Sequence, residues 1–459
     1  MQLKKNNTRN IRDSLAVATC TLLAGVGPQA QAAEFQSPWE IDSGVLFYAE
    51  KDRVRLIEPV LQVRKEIDDG EFLTARFVAD TLTGASPNGA APSDVPQTFT
   101  APSGGKSYTT QANEIPLDPS FKDTRGAVSV DWERPLSEQL RGIFGASFSI
   151  ESDYTSLGAS ATLARDFNQR NTTLTVATSL NLDSVSPMGG APVGLSEMST
   201  TVTGGGGEGE EEGEDDEDGG ESKTIQEFLV GVTQVVDRNT LTQLNYSYGH
   251  SSGYLTDPYK ILSVLENDGS GDLRTTGTSP YVHENRPDNR TFQTIYWKGV
   301  HQFGNEGVLT LAYRYGWDDW GINSNTYDVR YRHELGNGHY LQPHYRHYNQ
   351  SAADFYRQTL IDGELPKLDY ASADSRLGEL TTKTIGLKYG VEFKGGGEFN
   401  IRVESMKQTG KTRAQDAVGK LQGMDLFPDN KATMVQVGVS MDTDTLFKRV
   451  AMALLKIAK

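Results

Sequence analysis

Leu309-Thr310-Leu311-Ala312-Tyr313-Arg314-Tyr315-Gly316-Trp317-Asp318 carries large apolar or aromatic side chains at odd positions and small, polar or charged ones at even positions. Successive side chains of an extended strand point to opposite faces, so this stretch offers one face to lipid and the other to water. The alternation recurs along the chain. Runs at 40–50, 53–66, 71–82, 124–134, 138–151, 153–167, 170–183, 223–237, 239–252, 289–303, 307–320, 323–335, 338–349, 378–394, 397–407 and 430–441 share it, sixteen in all. On the apolar face stand Tyr327, Val329 and Tyr331 of run 12, Ile385, Leu387, Tyr389, Val391 and Phe393 of run 14, and Val435, Val437, Val439 and Met441 of run 16. The expected fold is all-β: a transmembrane antiparallel β-barrel of about 16 strands.

The connections support closure in a membrane. Turns after even runs are short and rich in Gly, Asn and Asp, as in Asp68-Asp69-Gly70, Asn168-Gln169, Gly304-Asn305-Glu306 and Gly336-Asn337-Gly338. The long connections, 83–123, 184–222, 253–288, 350–377 and 411–429, all follow odd runs 3, 7, 9, 13 and 15. Connections that alternate long and short put extracellular loops at one end and periplasmic turns at the other. A soluble sandwich or propeller would also alternate, but it predicts no such parity. Nor does it predict aromatics near both ends of the outward faces, the position expected for Tyr246, Tyr248, Trp297, Trp317, Trp320 and Phe393.

The N-terminus sets the expected compartment. Lys4, Lys5, Arg9 and Arg12 precede an apolar stretch from Leu15 to Val26 and a small-residue site at Ala30-Gln31-Ala32, so residues 1–32 read as a signal peptide and 33–441 as the barrel. Lipidation at Cys20 is the weaker reading, because Val17-Ala18-Thr19 is a poor match to the small residues that precede a lipidated cysteine. Cys20 is the single cysteine, so a chain cleaved after Ala32 has no disulfide, Cys-ligated zinc, thiol nucleophile or c-type haem attachment. The net charge of −17 argues against nucleic acid as a partner. Ten acids between Glu208 and Glu221, within the long connection 184–222, form a run expected to stay solvated or to collect divalent cations.

Two groups of charged residues are candidate sites. Arg314, Asp328, Arg330, Arg332, Arg346, Lys388, Glu392, Arg402 and Glu404 fall on the inward face. They either solvate and bridge the wall, or their arginines and Lys388 steer anionic solutes. Asp257, Arg286, Asp288, Arg290, Asp318, Asp319, Asp354 and Arg357 fall at the outer ends of runs 9 to 13. There they would form either a latch folding two long loops over the mouth or a ligand or cation site.

The segments that carry this second group are Gly253–Lys260, Glu284–Arg290, Asp318–Gly321 and Gln350–Arg357. With Tyr313–Tyr315 and Arg330–Arg332 they resemble the domain-of-unknown-function 3570 family of bacterial outer-membrane β-barrel proteins, most strongly across 250–410. The resemblance implies an outer-membrane protein of about this length with no assigned activity, and it supplies no catalytic or binding residues. The acidic run lies outside the resembling pattern.

An enzyme is not expected, and neither is a cofactor. His344 and His347 are three apart, which on a strand places them on opposite faces, and no His-Glu-x-x-His or phosphate-binding glycine loop is present. After run 16, Leu446, Val450, Ala453, Leu454 and Ile457 share one helical face, so 442–459 reads as an amphipathic tail. The leading expectation is a pore or transporter for small solutes, its mouth narrowed by loops from runs 3, 7 and 9, with outer-membrane lipids and the barrel-assembly machinery as partners. The alternative is a scaffold or sheath for a periplasmic or redox partner.

Overall fold

Strands that pair with both neighbours and turn one apolar face outward have no free edge once the last returns to the first. A computed structural model of the chain has that closure. It describes residues 39–100, 107–187, 190–198, 220–267, 273–275, 281–304, 307–393, 396–410, 417–427 and 429–443. The expected signal peptide (1–32), the acids from Glu208 to Asp218 and the tail beyond 443 lie outside the described residues.

Sixteen antiparallel strands form the ring. They are β1 (Glu40–Glu50), β2 (Arg55–Asp68), β3 (Glu71–Pro87), β4 (Leu117–Ser137), β5 (Leu140–Ile150), β6 (Tyr154–Phe167), β7 (Thr172–Val185) and β8 (Glu221–Asp237). The ring continues with β9 (Thr240–Gly253), β10 (Asn289–Phe303), β11 (Gly307–Asp318), β12 (Asn323–Gly336), β13 (His339–Gln350), β14 (Leu380–Glu392), β15 (Glu398–Gly410) and β16 (Asn430–Asp442). Each corresponds to one run read from the sequence. Pairing of β1 with β16, from Glu40 opposite Asp442 to Glu50 opposite Ala432, closes the ring. Phe47, Ile57, Leu61, Phe77, Phe148, Leu157, Leu182, Phe228, Tyr327, Ile385 and Leu387 are exposed, and they lie on the outward face all round it. A continuous apolar belt of this kind is costly in water and is what lipid contact requires. The turn from β12 to β13 takes a left-handed backbone at three successive residues, Gly336, Asn337 and Gly338, which explains its glycines.

Two expectations need correcting. The β3–β4 hairpin pairs up to Pro87 opposite Leu117, well beyond the predicted limits of 82 and 124, with a bulge between Gly84 and Ser86. Its upper part has no lipid face, so it lacks the apolar alternation that marked the rest. Trp320 does not belong to an outward belt. The backbone turns at Gly321 (φ +85), and Trp320 is buried with Ile322, Ala353, Phe355 and Leu377.

All five long connections leave the same end of the ring, and their described residues pack together. The segment 254–288 is their hub. Its strand Ile261–Asn267 pairs with Leu273–Thr275 and Tyr281–His283, and in parallel with Thr359–Ile361 from the β13–β14 connection. Ile261 through Leu265 are all buried. From the β3–β4 connection, Ala91 N–H donates to Ser263 Oγ at 3.0 Å. From the β7–β8 connection, Leu195 N–H donates to His283 O at 3.1 Å and Met198 N–H to Tyr281 O at 2.9 Å. From the β15–β16 connection, Leu421 packs on Ala91 and Leu265. Strands β7 and β15 stand eight places apart in the ring of sixteen, on opposite sides. A sheet touched by the loops of both must cross the mouth.

Candidate functional site

Inside the ring, β11 to β15 carry the charged residues anticipated from the sequence. At mid-height His344 sits between two carboxylates, with Nε2 2.9 Å from Asp328 Oδ2 and Nδ1 2.7 Å from Glu404 Oε1. Register explains the reach. His344 opposes Gly386, which opposes Glu404, and a Cβ on Gly386 would come within 2.6 Å of the Glu404 side chain. Arg330 Nε lies 3.1 Å from Asp328, and Arg402 Nε 4.0 Å from Glu404. Arg314 stacks over the Tyr296 ring at 5.5 Å. Arg346, opposite Asp328, is exposed.

Nearer the short turns a second set gathers around Tyr340, which is 1% exposed. Its hydroxyl donates to Glu398 at 2.7 Å, and Lys388 Nζ and Asn400 Nδ2 each donate to the same oxygen at 2.9 Å. Arg332 covers the Tyr340 ring at 3.7 Å, pairs with Glu334 at 2.6 Å and also bonds Glu392. Most of the predicted inward charges are thus bridged, while Arg330 (side chain 39% exposed) and Arg346 stay accessible to solvent.

The opposite wall differs. Strands β4 to β7 face β12 to β15 across the ring, and their inward positions hold Ser129, Gly145, Ser147, Gly158, Ser160, Ser179 and Asn181, with the carboxylate Asp131 among them. Long charged side chains therefore project from one half of the wall toward small, mainly hydroxyl-bearing residues on the other.

The rim residues separate into two clusters. In the first, Arg376 Nη2 lies 2.7 Å from Asp257 and also bonds Asp374, while Arg286 pairs with Glu284 at 2.7 Å and Asp374 at 2.8 Å. Glu284 accepts from Asp257 N–H at 2.7 Å and Ser372 Oγ at 2.5 Å, and Lys260 Nζ donates to Pro87 O. Three acids (Asp257, Glu284, Asp374) and two arginines (Arg286, Arg376) thus form one compact network beside the buried Lys260, and Asp257 and Glu284 in it are fully buried. Burial pushes the Glu284 carboxyl up and the Lys260 ammonium down. Burial also opposes charge on Asp374, but the guanidinium groups of Arg376 and Arg286 outweigh it and hold that carboxyl well below the ordinary range.

In the second cluster Arg290 Nε donates to Asp318 Oδ2 at 2.9 Å, and the guanidinium lies 4.6 Å over Trp320. Asp319 accepts from Thr291 N–H at 2.9 Å, and Asp318 accepts from Ile322 N–H at 2.8 Å. Asp288 holds Asn289 Nδ2 at 2.8 Å. Asp354 N–H bonds Trp320 O at 2.9 Å, and its carboxylate lies against Gly321. The Arg357 side chain makes no ion pair among the described residues, and its backbone N–H bonds Ser372 O at 2.9 Å. The structure therefore brings Asp257 together with Arg286, and Arg290 with Asp318 and Asp319, but not all eight. Sequence reasoning missed Glu284, Asp374 and Arg376 as network members and His344 as an inward group. Ser372-Ala373-Asp374-Ser375-Arg376 resembles ordinary polar loop, and only the three-dimensional partner of each charge gives it meaning.

The family described as "Protein of unknown function (DUF3570)" matches residues 12–441. The chain belongs to this family. Comparison with curated protein sequences finds no match. Among solved structures, the CymD monoaromatic hydrocarbon channel is similar at 8% identity and a TM-score of 0.37, with 89% of each chain covered. OccD3 (OpdP) of Pseudomonas aeruginosa is similar at 9% identity and a TM-score of 0.38, covering 90% of this chain and 93% of that one. The P. putida toluene transporter TodX is similar at 10% identity and a TM-score of 0.35, covering 90% and 91%. At these values the similarities carry no argument about solute or mechanism.

Proposed function

We propose that this DUF3570 chain is an outer-membrane channel for small hydrophilic solutes with a preference for anions, its long-loop end facing outward and its mouth constricted by the body of five packed loops. The carrying observation is the inward wall of β11 to β15, where Arg330 and Arg346 remain solvent-accessible beside bridged carboxylates. A charge held in a dry interior costs several kcal/mol, so such a wall is at home only against water. A wide sixteen-stranded ring has room for that water, and a surplus of guanidinium groups along it favours anions. The outward placement of the loops follows the habit of such barrels.

Planar-bilayer recording of the purified full-length protein tests the reading. Discrete conductance steps are expected, with a reversal potential on the anion-selective side that moves toward cation selectivity in Arg330→Gln/Arg346→Gln. Folded protein that gives no steps and co-purifies with a periplasmic protein would instead support the scaffold role.

A further inference from the structure

We infer that the outward face of β13 to β16 binds a phosphorylated glycolipid of the outer leaflet through a row of basic side chains at the level of the lipid headgroups. The inference rests on the outer-membrane placement proposed above. His347 opposes Lys383, Lys383 opposes Lys407, and Lys407 opposes Lys431 in consecutive antiparallel pairings. These four side chains therefore form one unbroken line across four strands. The line runs on into the β1–β2 connection, where Lys51 N–H bonds Lys431 O at 2.8 Å, and Arg55 stands at the start of β2. Lys51, Arg55, Lys383, Lys407 and Lys431 are all exposed.

Like charges directly opposite one another in a sheet are destabilising. Asp429 relieves one of them, 2.6 Å from Lys407. Lys51, Lys383 and Lys431 make no ion pair among the described residues, in a chain whose net charge is −17. The row thus calls for an anion from outside the protein.

Its height says which anion. Directly below it on the same face begins the apolar belt, with Ile385, Leu387 and Val403 exposed. From Lys383 to Phe393 the outward face descends ten residues, roughly 33 Å of strand at ~3.3 Å per residue, or ~25 Å along the axis at a tilt of about 40°. That is the height of the hydrocarbon band of such barrels. The lysines therefore sit at its upper boundary, on the long-loop side, where headgroup phosphates lie and acyl chains can rest on the apolar belt beneath.

The test is titration of detergent-solubilised, full-length protein with lipid A, read by native mass spectrometry. Dephosphorylated lipid A and phosphatidylglycerol serve as comparison ligands, and membrane fractionation is run separately. Phosphorylated lipid A is expected to be retained and both comparison ligands lost. Lys383→Gln/Lys407→Gln/Lys431→Gln should weaken retention about a hundred-fold, at roughly five-fold per lysine near a membrane surface, with an unchanged heat-stable folded band. Lys65→Gln, at the short-turn end, should change nothing. Equal binding of dephosphorylated lipid A or of phosphatidylglycerol, or unchanged retention in the triple variant, would overturn the inference. Fractionation away from the outer membrane would overturn the placement instead, and lipid titration in detergent would still report on the row itself.

Discussion

Gly390 shows how much a single hydrogen atom can decide in this wall. It opposes Tyr340, whose ring lies across it so closely that a Cβ at Gly390 would come within 2.2 Å. Gly390→Ala should therefore displace the ring from Glu398, Lys388 and Arg332 and cost about 1–3 kcal/mol, the usual range for overpacking. Gly126→Ala, with nothing within 4 Å of the added carbon, should be neutral in the same denaturant titration of the folded band. A glycine inside a strand signals that something leans on it, but not which side chain does. At the rim, Glu151 lies just past the end of β5, and its carboxyl is pushed up to about 8, first by burial and then by the Asp123 carboxylate, with Arg125 opposing. The folded rim thus favours the neutral acid. The penalty for ionising it is absent below the ordinary value of 4.5, grows as pH rises and is complete above about 8. Glu151→Gln should accordingly raise the thermal midpoint above that pH and leave it unchanged below pH 4.5, and an equal gain at both would contradict the assignment.

Among the elements, the barrel strands were legible because lipid on one side and water on the other impose a strict period of two. Where neither solvent acts alone, the signal vanishes. The upper β3–β4 hairpin pairs without an apolar face, and Ile261-Leu262-Ser263-Val264-Leu265, buried on both faces, is a short apolar run inside what otherwise resembles connection. Such a run is the ordinary mark of a doubly covered strand and could have been recognised as one. The buried ion network was harder to foresee, because Asp257 and Arg376 are 119 positions apart. Arg376→Ala leaves Asp257 and Asp374 buried with one guanidinium fewer, a change that costs about 3–5 kcal/mol where a buried pair is broken. The loss should appear as faster proteolysis of 254–288 and 351–379, while the ring keeps its heat-stable band; loss of that band would make the network essential to the barrel as well.

For the whole molecule, the loop body and the ring are separable in stability and joined in effect. Arg376→Ala should also raise the single-channel conductance, since it loosens what spans the mouth and leaves the inward wall of β11 to β15 intact. That body draws on loops from opposite sides of the ring and on contacts distant in sequence, among them Lys420 Nζ 2.5 Å from Asp94 across 326 positions of chain. Its assembly is consequently a late event in time. Contacts of that separation carry the largest loop-closure entropy, which is much reduced once β1 and β16 have met. In a refolding experiment into detergent micelles or vesicles, protection of the loops from protease should appear as a final kinetic phase, after the shift to the heat-stable band. The mouth would then act as a clock that reports when insertion is finished, so a chain stalled with an unclosed seam would be marked by cuttable loops.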